Sequence, residues 1–223
     1  MSDTTEEERR EYARRLAAEH LESGDPLGWF EPLYSAAERG EAVVPWAHLV
    51  ANPYLVEWAG GRTGGGRSAL VVGCGMGDDA EHLSGLGWAV TAFDVSPSAV
   101  GAARRRFPGS PVRYVAADLL APPEEWRQAF DLVVEAYTVQ VLRGDLRARA
   151  IRTAGALVAP GGTLLVVARA REDGDPPGRI AVPLTRSEID AFATGGLRAV
   201  RVRDVYDDET PPVRRWVAEF ARA

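Results

Sequence analysis

The chain has 223 residues, 46% of them hydrophobic and 26% charged, with a net charge of −6 and a pI near 5.2. That size and balance suit one globular domain with a full-size core, and the acidity argues against nucleic acid as a partner. The single cysteine, Cys74, excludes an intramolecular disulfide, and the charged N-terminus carries no signal-peptide pattern. No apolar run approaches membrane-spanning length, so a cytoplasmic protein with no membrane partner is expected.

Residues 4–22 read as a charged amphipathic helix with Tyr12, Leu16 and Ala17 on one face, ended by Ser23-Gly24-Asp25-Pro26. The next stretch is rich in aromatic residues, among them Trp29, Tyr34 and Trp46, and carries two short helical patterns. Asn52-Pro53 predicts a helix start, with Asn52 as N-cap and Pro53 in the first turn. After a glycine-rich lead at 60–66, strand and helix signals alternate. Strands are expected at 69–72, 88–93, 112–115, 131–135 and 163–168. Helices are expected at 78–86, after Ser96-Pro97, at 122–129, 145–158 and 185–194. Pro160-Gly161-Gly162 reads as a turn into the fifth strand, and 197–205 and 214–220 read as closing strands. The alternation predicts a doubly wound, mostly parallel α/β sheet. The long loop 169–184 is of the kind that borders a site.

The apolar run Ala69–Val72 leads into Gly73, Gly75 and Gly77, and then into a helical pattern opened by Asp78, Asp79 and Glu81. Glycines at such a corner permit positive φ and let a ligand approach bare backbone. The spacing is G-x-G-x-G, whereas a dinucleotide fingerprint would need glycine where Asp78 stands. A pyrophosphate there would meet two carboxylates, so a nucleoside-like ligand without strong negative charge is expected. Asp94 lies at the carboxyl end of the second strand, the region of a ribose-binding acid. Asp118, past the third strand, can accept a hydrogen bond from an adenine amine. Glu135, ending the fourth, either lines the pocket or pairs with a helix arginine. Arg104, Arg105 and Arg106 read as a solvated helix end. The three histidines lack metal-ligand spacing and Cys74 has no cysteine partner, so no metal is expected.

Five ordered motifs resemble class I S-adenosylmethionine-dependent methyltransferases. They are Val71-Val-Gly-Cys-Gly-Met-Gly77, Phe93-Asp-Val-Ser96, Ala117-Asp-Leu119, Phe130-Asp-Leu-Val-Val-Glu135 and Ala159-Pro-Gly-Gly-Thr163. The resemblance implies a Rossmann-like seven-stranded sheet over residues 67–223, its last strand inserted antiparallel, with residues 1–66 as a helical cap on the same domain. It implies S-adenosyl-L-methionine as cofactor. Gly73, Cys74, Gly75 and Gly77 would meet the methionine part, Asp94, Val95 and Ser96 the ribose, and Ala117, Asp118 and Leu119 the adenine. Glu135 would border the pocket. The Gly87-Trp-Ala-Val-Thr-Ala-Phe-Asp94 stretch is similar to thiopurine and thiol methyltransferases, in which a tryptophan-rich segment covers the cofactor; Trp29 and Trp46 would match it. A small-molecule acceptor, a thiol or similarly soft heteroatom, is then expected. His20, His48, Glu135 and Tyr137 are the candidate bases, of which Glu135 and Tyr137 fall nearest the strand ends.

Overall fold

The computed structural model describes residues 6–176, 178 and 181–223. Seven strands form one sheet: β1 (Ser68–Val72), β2 (Ala89–Asp94), β3 (Arg113–Ala116), β4 (Phe130–Ala136), β5 (Val158–Arg169), β6 (Leu197–Tyr206) and β7 (Arg214–Arg222). Their spatial order is β3-β2-β1-β4-β5-β7-β6. The first five pair in parallel, and β7 runs antiparallel to both neighbours, β5 and β6. This is the doubly wound, seven-stranded arrangement expected, with the last strand inserted.

The central strands are apolar on both faces because helices cover both, as a parallel sheet requires. On one side lie α4 (Asp78–Gly85) and α5 (Pro97–Arg106), whose Leu83, Val100 and Ala103 pack on Val71, Val90 and Val134. On the other lie α6 (Gly144–Ala156) and α7 (Arg186–Asp190), with Ala150, Ile151 and Ile189 packed in the layer of Leu70, Val133 and Val166. Asp131 Oδ2 accepts from the Ser68 N–H and hydroxyl, both at 2.8 Å, and so aligns the starts of β1 and β4.

Three further helices precede the sheet: α1 (Glu6–Glu22), α2 (Phe30–Glu38) and α3 (Pro53–Ala59). Residues 4 and 5 of the expected first helix lie outside the described residues. Small residues Ala13, Ala17 and Ala36 let α1 and α2 close around Trp29, Leu33 and Tyr34, against Ala99 of α5. Asn52 caps α3 as expected, its side chain accepting from Tyr54 N at 3.0 Å. No helix among the described residues is long and apolar enough to cross a membrane.

Three expectations change. The helix at 122–129 is a single 3₁₀ turn, Glu124–Trp126, because two prolines precede it and too few residues remain to nucleate more. The helix at 185–194 shortens to α7, opened by a capping box between Thr185 and Glu188. Pro160-Gly-Gly162 does not precede β5 but lies inside it. The strand stays paired and absorbs the glycines as a register shift opposite Phe130 and Leu132. A Cβ at Gly162 would stand 3.0 Å from the Phe130 and Asp131 carbonyl oxygens, so the close approach requires glycine.

Candidate active site

The crossovers from β1 run one way, to β2 and β3, and those to β4 and β5 run the other, which opens a crevice beyond the carboxyl ends of β1 and β4. Val72 is level with Phe93 on one side and Glu135 on the other. The sheet register therefore brings Gly73, Asp94 and Ala136 to one rim.

The glycine turn fills this rim with bare backbone. Gly73, Gly75 and Gly77 have φ of +61°, +49° and +94°. A Cβ on Gly73 would lie 2.2 Å from Thr138 Oγ1, and one on Gly75 3.0 Å from Tyr34 Oη. Asp94 is 6% exposed, its Oδ2 accepting from Gly75 N at 2.9 Å and its Oδ1 from Ser96 N at 3.0 Å. Each oxygen keeps a second lone pair for a ligand hydroxyl. Burial raises the Asp94 pKa, and the backbone donors work against that rise. Beside it Val95 is 37% exposed, an apolar surface for a flat ring.

Ser96 reaches the site differently from the expectation. It is fully buried, and its Oγ caps α5 by accepting from Ala99 N at 3.0 Å while donating to Glu31 Oε2 at 2.6 Å. Its part is to hold Asp94 through its N–H. Asp118 Oδ1 accepts from Leu120 N at 2.8 Å, while its other oxygen takes no hydrogen bond among the described residues. Ala117 N donates to the Asp94 carbonyl, and Leu119 is buried against the sheet. The three positions thus lie along the same rim as Asp94.

Cys74 is buried, and burial followed by the nearby Asp94 charge lifts its thiol pKa well above the ordinary value. It is a packed thiol and no nucleophile. Glu135 neither lines an open pocket nor pairs directly with an arginine. It is fully buried, with Oε1 accepting from Thr138 N and Val139 N, both at 2.8 Å, and Oε2 without a partner among the described residues. Burial pushes its pKa up to about 7, against the two N–H donors and the more distant Arg147.

Tyr137 follows β4 at φ +65°, a strained conformation for a non-glycine residue. Its ring lies 5.2 Å from the Arg215 guanidinium, and the Asn52 side chain stands close enough to act on its hydroxyl. Burial raises its pKa, so it is a poor base near neutrality. His20 Nδ1 bonds back to the Leu16 carbonyl of its own helix, and His48 lies on an exposed loop.

The cap meets the turn through Tyr34 and Trp46. Trp46 Nε1 donates to Tyr34 Oη at 3.1 Å, and Tyr34 stands over Gly75. Trp46 is 38% exposed, whereas Trp29 is 2% exposed, stacked on Phe30 and edge-on to Trp46. Trp29 therefore packs in the cap interior, and of the two tryptophans Trp46 is the one with open surface at the turn. The loop 169–184 borders β4 and β5: Val182 N donates to the Gln140 carbonyl, and Arg147 ties Val182 to Glu188. Its residues 177, 179 and 180 lie outside the described residues.

Four residues were missed. Arg106 grips Asp78 and the Met76 carbonyl, so its side chain is paired and only partly exposed. Glu31 clasps Ser96 and Ser98 at the start of α5. Asp79 accepts from Asn52 N at 2.6 Å and fastens α3 to α4. Arg215 is 5% exposed and pairs with Asp207 and Glu209 at the Tyr137 ring. Each depends on a contact across at least 6 residues, and the first three across 27 to 67, beyond the reach of local pattern. Because Asp78 is paired, charge at the turn excludes a pyrophosphate less firmly than the sequence suggested.

Residues 69–162 match the model of the methyltransferase domain family. An uncharacterised methyltransferase of Mycobacterium bovis is 37% identical over 103 residues, covering 46% of this chain and 51% of its own, so the chain spans about half the length of such relatives. Thiocyanate methyltransferase 1 of Brassica oleracea is 25% identical over 172 residues, 74% of this chain and 73% of that one. Among solved structures, the 1,6-didemethyltoxoflavin-N1-methyltransferase of Burkholderia thailandensis, with S-adenosylhomocysteine bound, superposes with a TM-score of 0.66. It is 19% identical and covers 96% of this chain and 89% of its own. The chain has the Rossmann-like methyltransferase fold, and its methyltransferase-domain match spans β1 to the glycines inside β5.

Proposed function

We propose that the protein transfers a methyl group from S-adenosylmethionine to a small molecule in the cytoplasm, with a thiol or another soft heteroatom as the acceptor. The observation that carries this reading is the meeting of Asp94 with the bare Gly73–Gly77 backbone in the β1–β4 crevice. The segment involved is the one that matches the methyltransferase domain model. The cofactor supplies a methyl on a positively charged sulfur and carries no phosphate, in keeping with a turn that offers no free cation. Asp94 would accept from the ribose hydroxyls and Asp118 from the adenine amine. Gly73, Cys74, Gly75 and Gly77 would offer backbone to the amino-acid part, and Trp46 with Tyr34 would cover it.

Methyl transfer is a displacement whose catalysis consists mainly of alignment and exclusion of water. Glu135 is buried and Tyr137 has a raised pKa, so neither is a ready base. An acceptor that ionises by itself suits such a site, and a thiol, with a pKa of about 8.5, does so to a small degree at neutral pH. The plant thiocyanate enzyme is a relative whose acceptor is also a soft nucleophile. The toxoflavin enzyme supports a second reading, an N- or O-methyltransferase of small metabolites. A net charge of −6 gives no general attraction to nucleic acid.

A radiolabelled methyl-transfer screen over small thiols, phenols and amines tests this. Turnover of thiols, with kcat/KM rising with pH and levelling near the acceptor's own pKa, is the expected result. Methylation of phenols or amines alone overturns the sulfur assignment. Binding of S-adenosylhomocysteine without turnover of any acceptor points to a sensor instead.

A further inference from the structure

The first turn of α4 carries three acids, Asp78, Asp79 and Glu81, directly after the glycine turn. Free carboxylates there would oppose any ligand that brings its own carboxylate to Gly73–Gly77. Each acid is engaged. Glu81 accepts from Tyr114 Oη at 2.6 Å, and Asp79 accepts from Asn52 N. Asp78 receives a forked pair from Arg106, Nη1 to Oδ2 and Nη2 to Oδ1, both at 2.8 Å. Arg106 Nη1 also donates to the Met76 carbonyl at 2.5 Å, so one guanidinium holds both the backbone of the turn and its nearest negative charge.

Arg106 is the last residue of α5. The same helix begins at Ser96, whose N–H holds Asp94. α5 thus spans from the ribose acid at its start to the glycine turn at its end, and Arg106 is the far anchor. The salt bridge is largely out of solvent, with side-chain exposures of 26% and 16%, so its charge balance is felt locally. Removing one partner of such a pair leaves the other charge uncompensated. Asp78 already raises the Asp79 pKa, behind burial as the main cause, so an unpaired Asp78 would act on the whole turn.

We infer that Arg106 is a positioning residue that cancels the Asp78 charge and fixes the Met76 carbonyl, so that the turn accepts the amino-acid end of the cofactor. This rests on the cofactor reading above. The nucleoside end, at Asp94 and Asp118, does not depend on the Arg106 charge.

The test is calorimetry with two ligands, S-adenosylhomocysteine and 5′-methylthioadenosine, the second lacking the amino-acid end. Arg106→Gln should weaken S-adenosylhomocysteine about tenfold, because the carboxylate of its amino-acid end then meets an uncompensated Asp78 charge and the Met76 carbonyl loses its anchor. Its affinity for 5′-methylthioadenosine should stay within about twofold, since that ligand carries no carboxylate for the charge to repel. Adding Asp78→Asn to Arg106→Gln should restore most of the lost affinity, because charge and countercharge then go together. Arg106→Lys keeps the charge and serves if the glutamine variant does not fold. Without the fork onto Asp78 its affinity for S-adenosylhomocysteine should fall, but by clearly less than about tenfold.

Equal loss of both ligands, no loss, absence of rescue by Asp78→Asn, or a tenfold loss in the lysine variant overturns the inference while leaving the cofactor reading standing. Wild-type protein that binds neither compound overturns both.

Discussion

On one side of the crevice, Gly73–Gly77, Asp94 and Asp118 come from a single run of chain in which β1, β2 and β3 follow one another. On the other side, Tyr34, Asn52, Tyr137 and Arg215 come from four separate segments. The first side is built from backbone: positive-φ glycines and N–H groups held by Asp94. The second is built from side chains, an aromatic cover and a buried arginine stacked on a strained tyrosine. Backbone geometry offers few substitutes, whereas packed side chains can be exchanged at modest cost. Under the proposed function, the contrast would give a fixed cofactor side and an adaptable acceptor side.

The largest break comes at Gly75. At φ +49°, with Tyr34 Oη 3.0 Å from any added Cβ, valine is strained and meets the cap. Gly75→Val should show no measurable S-adenosylhomocysteine binding by calorimetry. Normal affinity in a folded variant would place the turn outside the site.

Asp94→Ala removes the proposed ribose acceptor together with the partner of the Gly75 and Ser96 N–H groups. Charge-assisted bonds of roughly 1.5–3 kcal/mol each predict a loss on the order of 10²-fold or more. Affinity within error of wild type would remove Asp94 from the ribose role.

Glu135 tests the rim between the two sides through pH. Its folded pKa of about 7 stands above the 4.5 of the free carboxyl. The stability associated with its protonated form is therefore fully present below about pH 4.5 and is lost as pH rises through about 7. The shift corresponds to on the order of 3 kcal/mol. Glu135→Gln, neutral at every pH, should lack this part of the slope in urea unfolding between pH 4.5 and 8. A variant with the same slope as wild type would show that Glu135 does not titrate there.

The smallest effect belongs to the cover. Trp46→Ala removes edge-on contacts with Trp29, Phe30 and Tyr34 and the bond to Tyr34 Oη. Aromatic pairs of roughly 0.5–1.5 kcal/mol predict a several-fold loss of cofactor affinity. It should also reduce ligand-dependent protection from hydrogen exchange over residues 29–46. Exchange in wild type that ignores the ligand would make the cap a packing element only.

The α/β alternation, the parallel core and the glycine corner were legible in residue order. Strand propensity, positive-φ glycines and helix caps at Asn52, Ser96 and Thr185 act within a few residues of where they are written. The shortened elements were not, because a 3₁₀ turn and a helix of the same composition differ mainly in length and neighbours. The meeting of Asp94 with the glycine turn was readable from its distance to the glycines in sequence. Arg106 was not, since its three-arginine run looks the same whether it faces water or the Asp78 carboxylate. Trp29 and Trp46 look alike in sequence, yet one is sealed inside the cap and the other half-opens at the turn. Local backbone chemistry was thus set by the order of residues alone. Which charge is cancelled, which aromatic faces the crevice and which carboxyl is sealed from water were decided by the sheet register and the docking of α2 on α5. Burial and pairing are properties of neighbours that the chain brings together only when it folds.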